Sequence, residues 1–312
     1  MHETFNIRQT TELVEPEQKT DLRIPFQLAP PSWRLRGEAW WLLLSLFGKP
    51  KDDAAAPKPG QYRFGPGHFD PVDQSSREFA NTPGVFRGGA GTVQIVRYFS
   101  SPVGPYDELM YIPGNFNVPE ELGGGSMPQI TRIYVSSLQS VLNGKTNWNT
   151  PKNLAHFDFI SEPSGSVTIK VYALESYTFA SPKNGADACF QPNFASIPFF
   201  STTFHFFGPE MLRVPIKTNM LPICTILAQP PLEEGDVTLG CVGTSTWKKF
   251  GVDVSGRVGI RKAEGSLVSS DGVKRFADGK GFPDFEPYQI GFHWKDVIID
   301  IGMPIVLSKM KR

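Results

Sequence analysis

The chain has 312 residues, 40% of them hydrophobic and 20% charged, which excludes a mainly disordered polypeptide and is enough to build a sizeable core. Lys plus Arg equals Asp plus Glu at 31 each, and no basic stripe precedes the short tail Lys309–Arg312, so a nucleic-acid partner is excluded as a first reading. Three cysteines, Cys189, Cys224 and Cys241, lack any metal-ligand spacing and read as reduced thiols, partly in the core.

The stretch Met1–Leu22 carries Glu3, Glu12, Glu15 and Glu17 and no apolar run, unlike a secretory signal. Residues 1–30 read as an irregular arm ending at Pro30-Pro31, and residues 31–312 as a single domain. Trp33–Phe47 reads as the first core strand. Its most apolar part, Ala39–Phe47, is far shorter than the ~20 residues of a membrane helix, so a cytoplasmic protein with no membrane partner is expected. Lys49–Pro66, rich in Lys, Asp, Ala, Pro and Gly, reads as a loop or insertion.

Gly91–Tyr98 alternates as a strand does, and Ile130–Ser136 is β-branched and aromatic. Leu138–Leu142 predicts a short helical turn stopped by Asn143-Gly144. In Gly144–Phe159, Pro151 suits the first turn of a second short helix with Thr150 as its cap. Val167–Tyr172 has period two, with Val167, Ile169 and Val171 on one face. Ile197–Phe207, Val252–Arg261 (broken at Ser255-Gly256) and Val297–Leu307 are further strands. Many short strands with little helical periodicity predict an α+β, predominantly β, chain. The sheet is expected to close into an antiparallel β-barrel, which removes exposed edges and encloses a ligand pocket.

Gly123-Gly124-Gly125 lacks the Lys-Ser/Thr of a phosphate loop, and the five histidines (His2, His68, His156, His205, His293) are scattered. Chemistry without metal or nucleotide cofactor is therefore expected. Two segments carry candidate chemistry. Lys152 lies between Trp148 and Leu154-Ala155; a lysine in apolar surroundings loses hydration, which favours the neutral, nucleophilic amine, while the local sequence alone equally describes an ordinary solvated lysine at a helix start. In Gly104–Pro113, Asp107 and Glu108 sit among apolar and aromatic residues and read either as a buried carboxylate that acts in proton transfer or orients a polar ligand, or as a surface acidic pair in a turn after Pro105.

These segments, GPYDE (Gly104–Glu108), TRIYVSS (Thr131–Ser137) and NWNTPKNLAHFDF (Asn147–Phe159), together with PPSWRLRGEAWWLL (Pro30–Leu43), resemble the acetoacetate decarboxylase-like superfamily. The resemblance covers residues 30 to 250 and is strongest from 100 to 160. It implies a cone-like closed sheet with a few short helices and a deep central pocket, often in a homo-oligomer. It also implies a Schiff-base lyase: Lys152 at the imine-forming lysine and Glu108 at the pocket glutamate. Tyr106, Trp148, Tyr134, Arg132 and Asn153 are the expected substrate-binding residues. The implied ligand is a β-keto acid or related carbonyl compound, in a setting such as specialised metabolism.

Three positions depart from the decarboxylases. A second lysine follows the nucleophile there, whereas Asn153 stands here. Gln94 occupies the stretch where they carry another carboxylate, and their substrate-holding arginine has only Arg34 or Arg36 as counterparts. An aldolase–dehydratase of the same superfamily, or a protein that binds its ligand without amine catalysis, are the alternatives.

Overall fold

The first strand of the computed structural model, Trp33–Ser45, falls where the sequence places the first core strand: Trp33, Leu35 and Ala39 are buried while Arg34 and Arg36 are exposed, and Trp40, Trp41 and Leu42 are all buried. The structure describes residues 26–45, 67–75, 84–180, 189–206, 213–268 and 272–309. The expected loop at 49–66 and residues 1–25 of the arm lie outside the described residues. Gln27 and Ala29, the part of the arm that is described, run along the helix Leu138–Trp148. Asn143 holds them, accepting from the Ala29 N–H at 2.7 Å and donating to the Gln27 carbonyl at 2.8 Å.

The fold is mostly β. Trp33–Ser45 pairs with Gly91–Ser100, which pairs with Tyr106–Ile112, and that strand with Arg132–Val135. The succession continues through Lys152–Ser161, Val167–Ala180, Phe200–Phe206 and Lys248–Gly265 to Ile290–Ile301. Ile290–Ile301 pairs again with Trp33–Ser45, so the run of ladders returns to its first strand. One ladder corrects the antiparallel expectation: Arg132–Val135 and Lys152–Ser161 are parallel. The helix between them supplies the crossover that parallel neighbours require.

Both faces of these strands are covered. Trp33, Leu35, Trp41, Val96, Tyr98, Met110 and Ile133 belong to one apolar cluster. Trp40, Leu42, Val93, Ile95, Leu109, Tyr134, Ile169 and Phe200 belong to the other. The period-two reading of Val167–Tyr172 holds, with Ile169 and Val171 fully buried. Val252–Arg261 is not broken. It lies within one 18-residue strand, Lys248–Gly265, and Gly256 sits in a register slip against Ile290–Ile301 rather than in a turn. A bulge absorbs one extra residue without ending the strand. The predicted strand Val297–Leu307 is split, with Ile290–Ile301 ending before Ile305–Val306. The cysteines are free thiols and only partly in the core: Cys241 is buried, and Cys189 and Cys224 are exposed.

The short helix Pro71–Ser75 packs outside the sheet and carries a pH-sensitive contact. Asp73 is 2% exposed and accepts the Glu233 N–H at 2.9 Å. Burial first, and then the negative charge of Asp70, push its carboxyl up to about 6. The folded state therefore holds a proton that the unfolded chain releases near pH 4, and stability falls as pH rises from about 4 to about 6. The expected loss is roughly 2–3 kcal/mol. Urea denaturation at pH 4 and pH 7 checks it: Asp73→Asn is expected to remove most of that loss, and an unchanged pH slope contradicts it.

Candidate active site

Lys152 opens a strand, not a helix as the Thr150-Pro151 reading predicted. The preceding helix also does not stop at Asn143-Gly144 but runs on to Trp148. It begins at Ser137, whose side chain accepts the Ser140 N–H, and it ends at Asn149 in the left-handed region (φ 56°). The Asn149 amide fixes that end by donating to the carbonyls of Pro230 and Thr246 at 3.0 and 2.6 Å.

Ser140, Gly144 and Trp148 are spaced by four and share one face of the helix. The Lys152 side chain crosses that face. A Cβ on Gly144 would lie 2.6 Å from Lys152 Cδ and 2.7 Å from Cε, so the glycine leaves the groove in which the lysine stem lies. Beyond it the ammonium donates to Ser140 Oγ at 3.0 Å and to Glu108 Oε2 at 2.7 Å. Tyr98 donates its hydroxyl to the other carboxylate oxygen at 2.9 Å. Lys152 and Glu108 are 5% and 3% exposed. The Tyr106 ring centroid is 5.3 Å from Lys152 Nζ, and Tyr98 and Tyr106 pack at 4.6 Å. Burial, then the Glu108 charge, pushes both tyrosine hydroxyls well above their ordinary range, so they remain protonated donors.

This cluster faces a cavity of about 280 Å³. Tyr98, Glu108 and Lys152 share its wall with Gln94, Thr150 and Trp148, and the remaining lining is largely apolar. Strand alternation decides which predicted residues reach it. Glu108, Met110 and Ile112 point to the cavity while Asp107 faces the other way, paired with Arg97 at 3.1 Å.

By the same rule three expected substrate-binding residues are corrected. Ile133 is in register with Lys152, and Tyr134 with Asn153, so Arg132, Tyr134 and Asn153 take the face away from the cavity. Arg132 is a structural clamp, donating to the Phe69 carbonyl at 3.0 Å, the Gly281 carbonyl at 3.2 Å, and Tyr134. Tyr134 donates to the Gly281 carbonyl at 2.6 Å. The Asn153 amide donates to Asp70. A residue at 153 thus projects away from the amine, and the Asn153 departure carries less weight than the sequence suggests. Trp148 does line the cavity, and Tyr106 flanks the amine behind it. Arg34 and Arg36 are exposed, Arg34 beside Asp300 at 3.6 Å, and neither lines the cavity.

Sequence reasoning missed Ser140 and Tyr98. The four-residue spacing Ser140–Gly144–Trp148 was the available signal for the first, and the parity of Gln94 and Tyr98 along their strand for the second.

These features define a β-rich protein with a buried amine–carboxylate pair on the wall of an apolar cavity. No family model and no curated protein matches the sequence. Solved structures are similar to the chain, among them two of acetoacetate decarboxylase. One is acetoacetate decarboxylase from Legionella pneumophila, with 10% identity, 93% of each chain covered and a TM-score of 0.45. The other is from structural studies of acetoacetate decarboxylase, with 7% identity over 91% of this chain and 93% of that one, and a TM-score of 0.46. Both are structures of the family that the sequence motifs resemble.

Proposed function

We propose that this protein is a lysine-dependent carbon–carbon lyase in which Lys152 condenses with the carbonyl group of a β-keto acid or related compound. The observation that carries the reading is the Lys152 amine held 2.7 Å from Glu108 on a cavity wall, with both groups removed from bulk water. Moving one proton along that hydrogen bond turns ammonium and carboxylate into amine and carboxylic acid, with no change in net charge. The amine then adds to the carbonyl carbon, Glu108 protonates the departing oxygen, and water leaves as the imine forms. The protonated imine accepts the electron pair of the bond broken beside it, whether carbon dioxide or an aldehyde departs. Glu108 takes up a proton again, from the β-hydroxyl when an aldehyde departs or from water when carbon dioxide departs, and delivers it to the α-carbon; water then hydrolyses the imine, releasing the ketone and the Lys152 amine. Tyr98 and Ser140 are positioning residues, holding the carboxylate and the amine. We read the returning run of strand pairings as the closed, cone-like barrel of this superfamily. A cytoplasmic location and a homo-oligomeric assembly belong to the same proposal; among the described residues no helix is long and apolar enough to cross a membrane.

Exchange of α-hydrogens for deuterium in a simple ketone, followed by mass spectrometry, tests the reading. The wild-type protein is expected to catalyse exchange. Glu108→Gln is expected to lower the rate by about 10²–10⁴, the usual worth of a positioned general base, and Lys152→Ala to abolish it. Exchange at an undiminished rate in Lys152→Ala contradicts amine catalysis. A second reading, ligand binding without covalent chemistry, is favoured by the double anchoring of the amine on Glu108 and Ser140. It predicts ligand-induced thermal stabilisation with no exchange.

A further inference from the structure

We infer that the cavity takes an uncharged, largely apolar aldehyde or ketone in preference to a keto acid, an inference that rests on the imine chemistry proposed above. Among the described residues that line the cavity, Lys152 and Glu108 are the charged ones, and each already has the other as its partner at 2.7 Å. The polar wall around them, Thr92, Gln94 and Thr150, is neutral. An uncharged carbonyl compound leaves this balance closed at every stage. The ammonium becomes a protonated imine of the same charge, and Glu108 remains its counter-ion. A ligand carboxylate would add an uncompensated negative charge beside Glu108, and burying an unpaired ion in apolar surroundings is strongly unfavourable.

The shape and chemistry of the walls point the same way. Trp33, Trp41, Trp148, Phe250, Met110 and Ile299 provide large apolar surfaces, suited to a hydrocarbon or aromatic body. The loop 218–225 lines the cavity through Thr218, Pro222, Ile223, Cys224 and Thr225 and adds exposed apolar side chains beside it. Residues 218–225 are fixed at both ends to the strand Lys248–Gly265: Val254 N–H donates to Thr218 Oγ1 at 2.8 Å, and Val252 N–H to the Thr225 carbonyl at 2.8 Å. Between those anchors Met220, Leu221 and Ile223 are 79%, 40% and 36% exposed. Ile223 lines the cavity itself, so the apolar surface continues from this loop to the interior. With an uncharged ligand, the bond broken beside the imine is that of an aldol-type cleavage, or its reverse: the Glu108 carboxylate takes the β-hydroxyl proton, the electron pair of the broken carbon–carbon bond passes to the protonated imine to give an enamine, and an aldehyde departs.

Borohydride trapping with a matched pair tests the inference. 4-Nonanone and 4-oxononanoic acid share a carbon skeleton and carbonyl position and differ in a terminal carboxylate, and a γ-keto acid does not lose carbon dioxide through its enamine. In each case the lysine nitrogen displaces the carbonyl oxygen as water, and hydride from borohydride reduces the C=N bond to a stable secondary amine. Adduct formation is followed by intact mass and normalised to the same compound's reaction with N-α-acetyl-lysine. The ketone is expected to label the protein at least tenfold faster than the acid. Equal or faster labelling by the acid overturns the ligand class and leaves imine formation standing. Labelling by neither overturns the imine chemistry, and this inference with it.

Discussion

Glu108→Ala is expected to destabilise the protein by roughly 3–5 kcal/mol, because it leaves the Lys152 ammonium buried without its counter-ion. The same magnitude is expected for Lys152→Ala, which strands the carboxylate. The double variant Lys152→Met with Glu108→Leu removes both charges at similar volume, and it is expected to recover most of that loss or exceed wild-type stability. Urea denaturation of the three variants is the measurement. Additive losses in the double variant contradict a tightly coupled buried pair. A double variant at or above wild-type stability would show that the pair costs stability, the signature expected of residues kept for chemistry.

Gly144→Ala is the second change with a large expected effect, and its direction reverses the ordinary rule. Alanine in place of glycine within a helix stabilises by about 1 kcal/mol on propensity alone. At this position the added methyl meets Lys152 Cδ at 2.6 Å, Cε at 2.7 Å and Thr150 Oγ1 at 2.8 Å. The lysine stem is flexible and gives way, so global stability is expected to change by no more than about 1–2 kcal/mol. The amine, however, leaves its place between Ser140 and Glu108. α-Deuterium exchange is expected to fall at least 10²-fold, the scale of a misplacement of about 1 Å. A variant that keeps wild-type exchange shows that the lysine does not depend on this groove.

The extent to which the site was legible in the sequence follows from strand parity. Lys152 and Glu108 were found because each sits among apolar residues within a motif that resembles a known family, and the structure brings them together across 44 positions of sequence. Tyr134, Arg132 and Asn153 stand in the same motifs and were placed wrongly. Proximity in sequence does not fix which face of a strand a side chain takes, and a shift of one residue reverses it. The register Ile133↔Lys152 decides the matter, and it depends on a parallel ladder set by the intervening helix.

That helix was itself misread. Asn143-Gly144 has the composition of a helix stop, yet Asn143 spends its side chain on the backbone of Gln27 and Ala29, and Gly144 makes room for Lys152. Both are tertiary demands, invisible to local propensity. Thr150-Pro151 likewise looked like a helix start and instead precedes a strand, because Asn149 turns the chain through the left-handed region just before it. The long strands were more readable, since Val167, Ile169 and Val171 alternate against a buried face.

The central claim is that Lys152 is the amine that condenses with the ligand, and peptide mapping after borohydride reduction tests it most directly. The protein is incubated with 4-nonanone, reduced, digested, and its lysine-containing peptides are compared by mass. The account predicts the secondary-amine adduct on the peptide containing Lys152, and its loss in Lys152→Ala. Adduct spread over exposed lysines such as Lys274, with Lys152 unmodified, would contradict it.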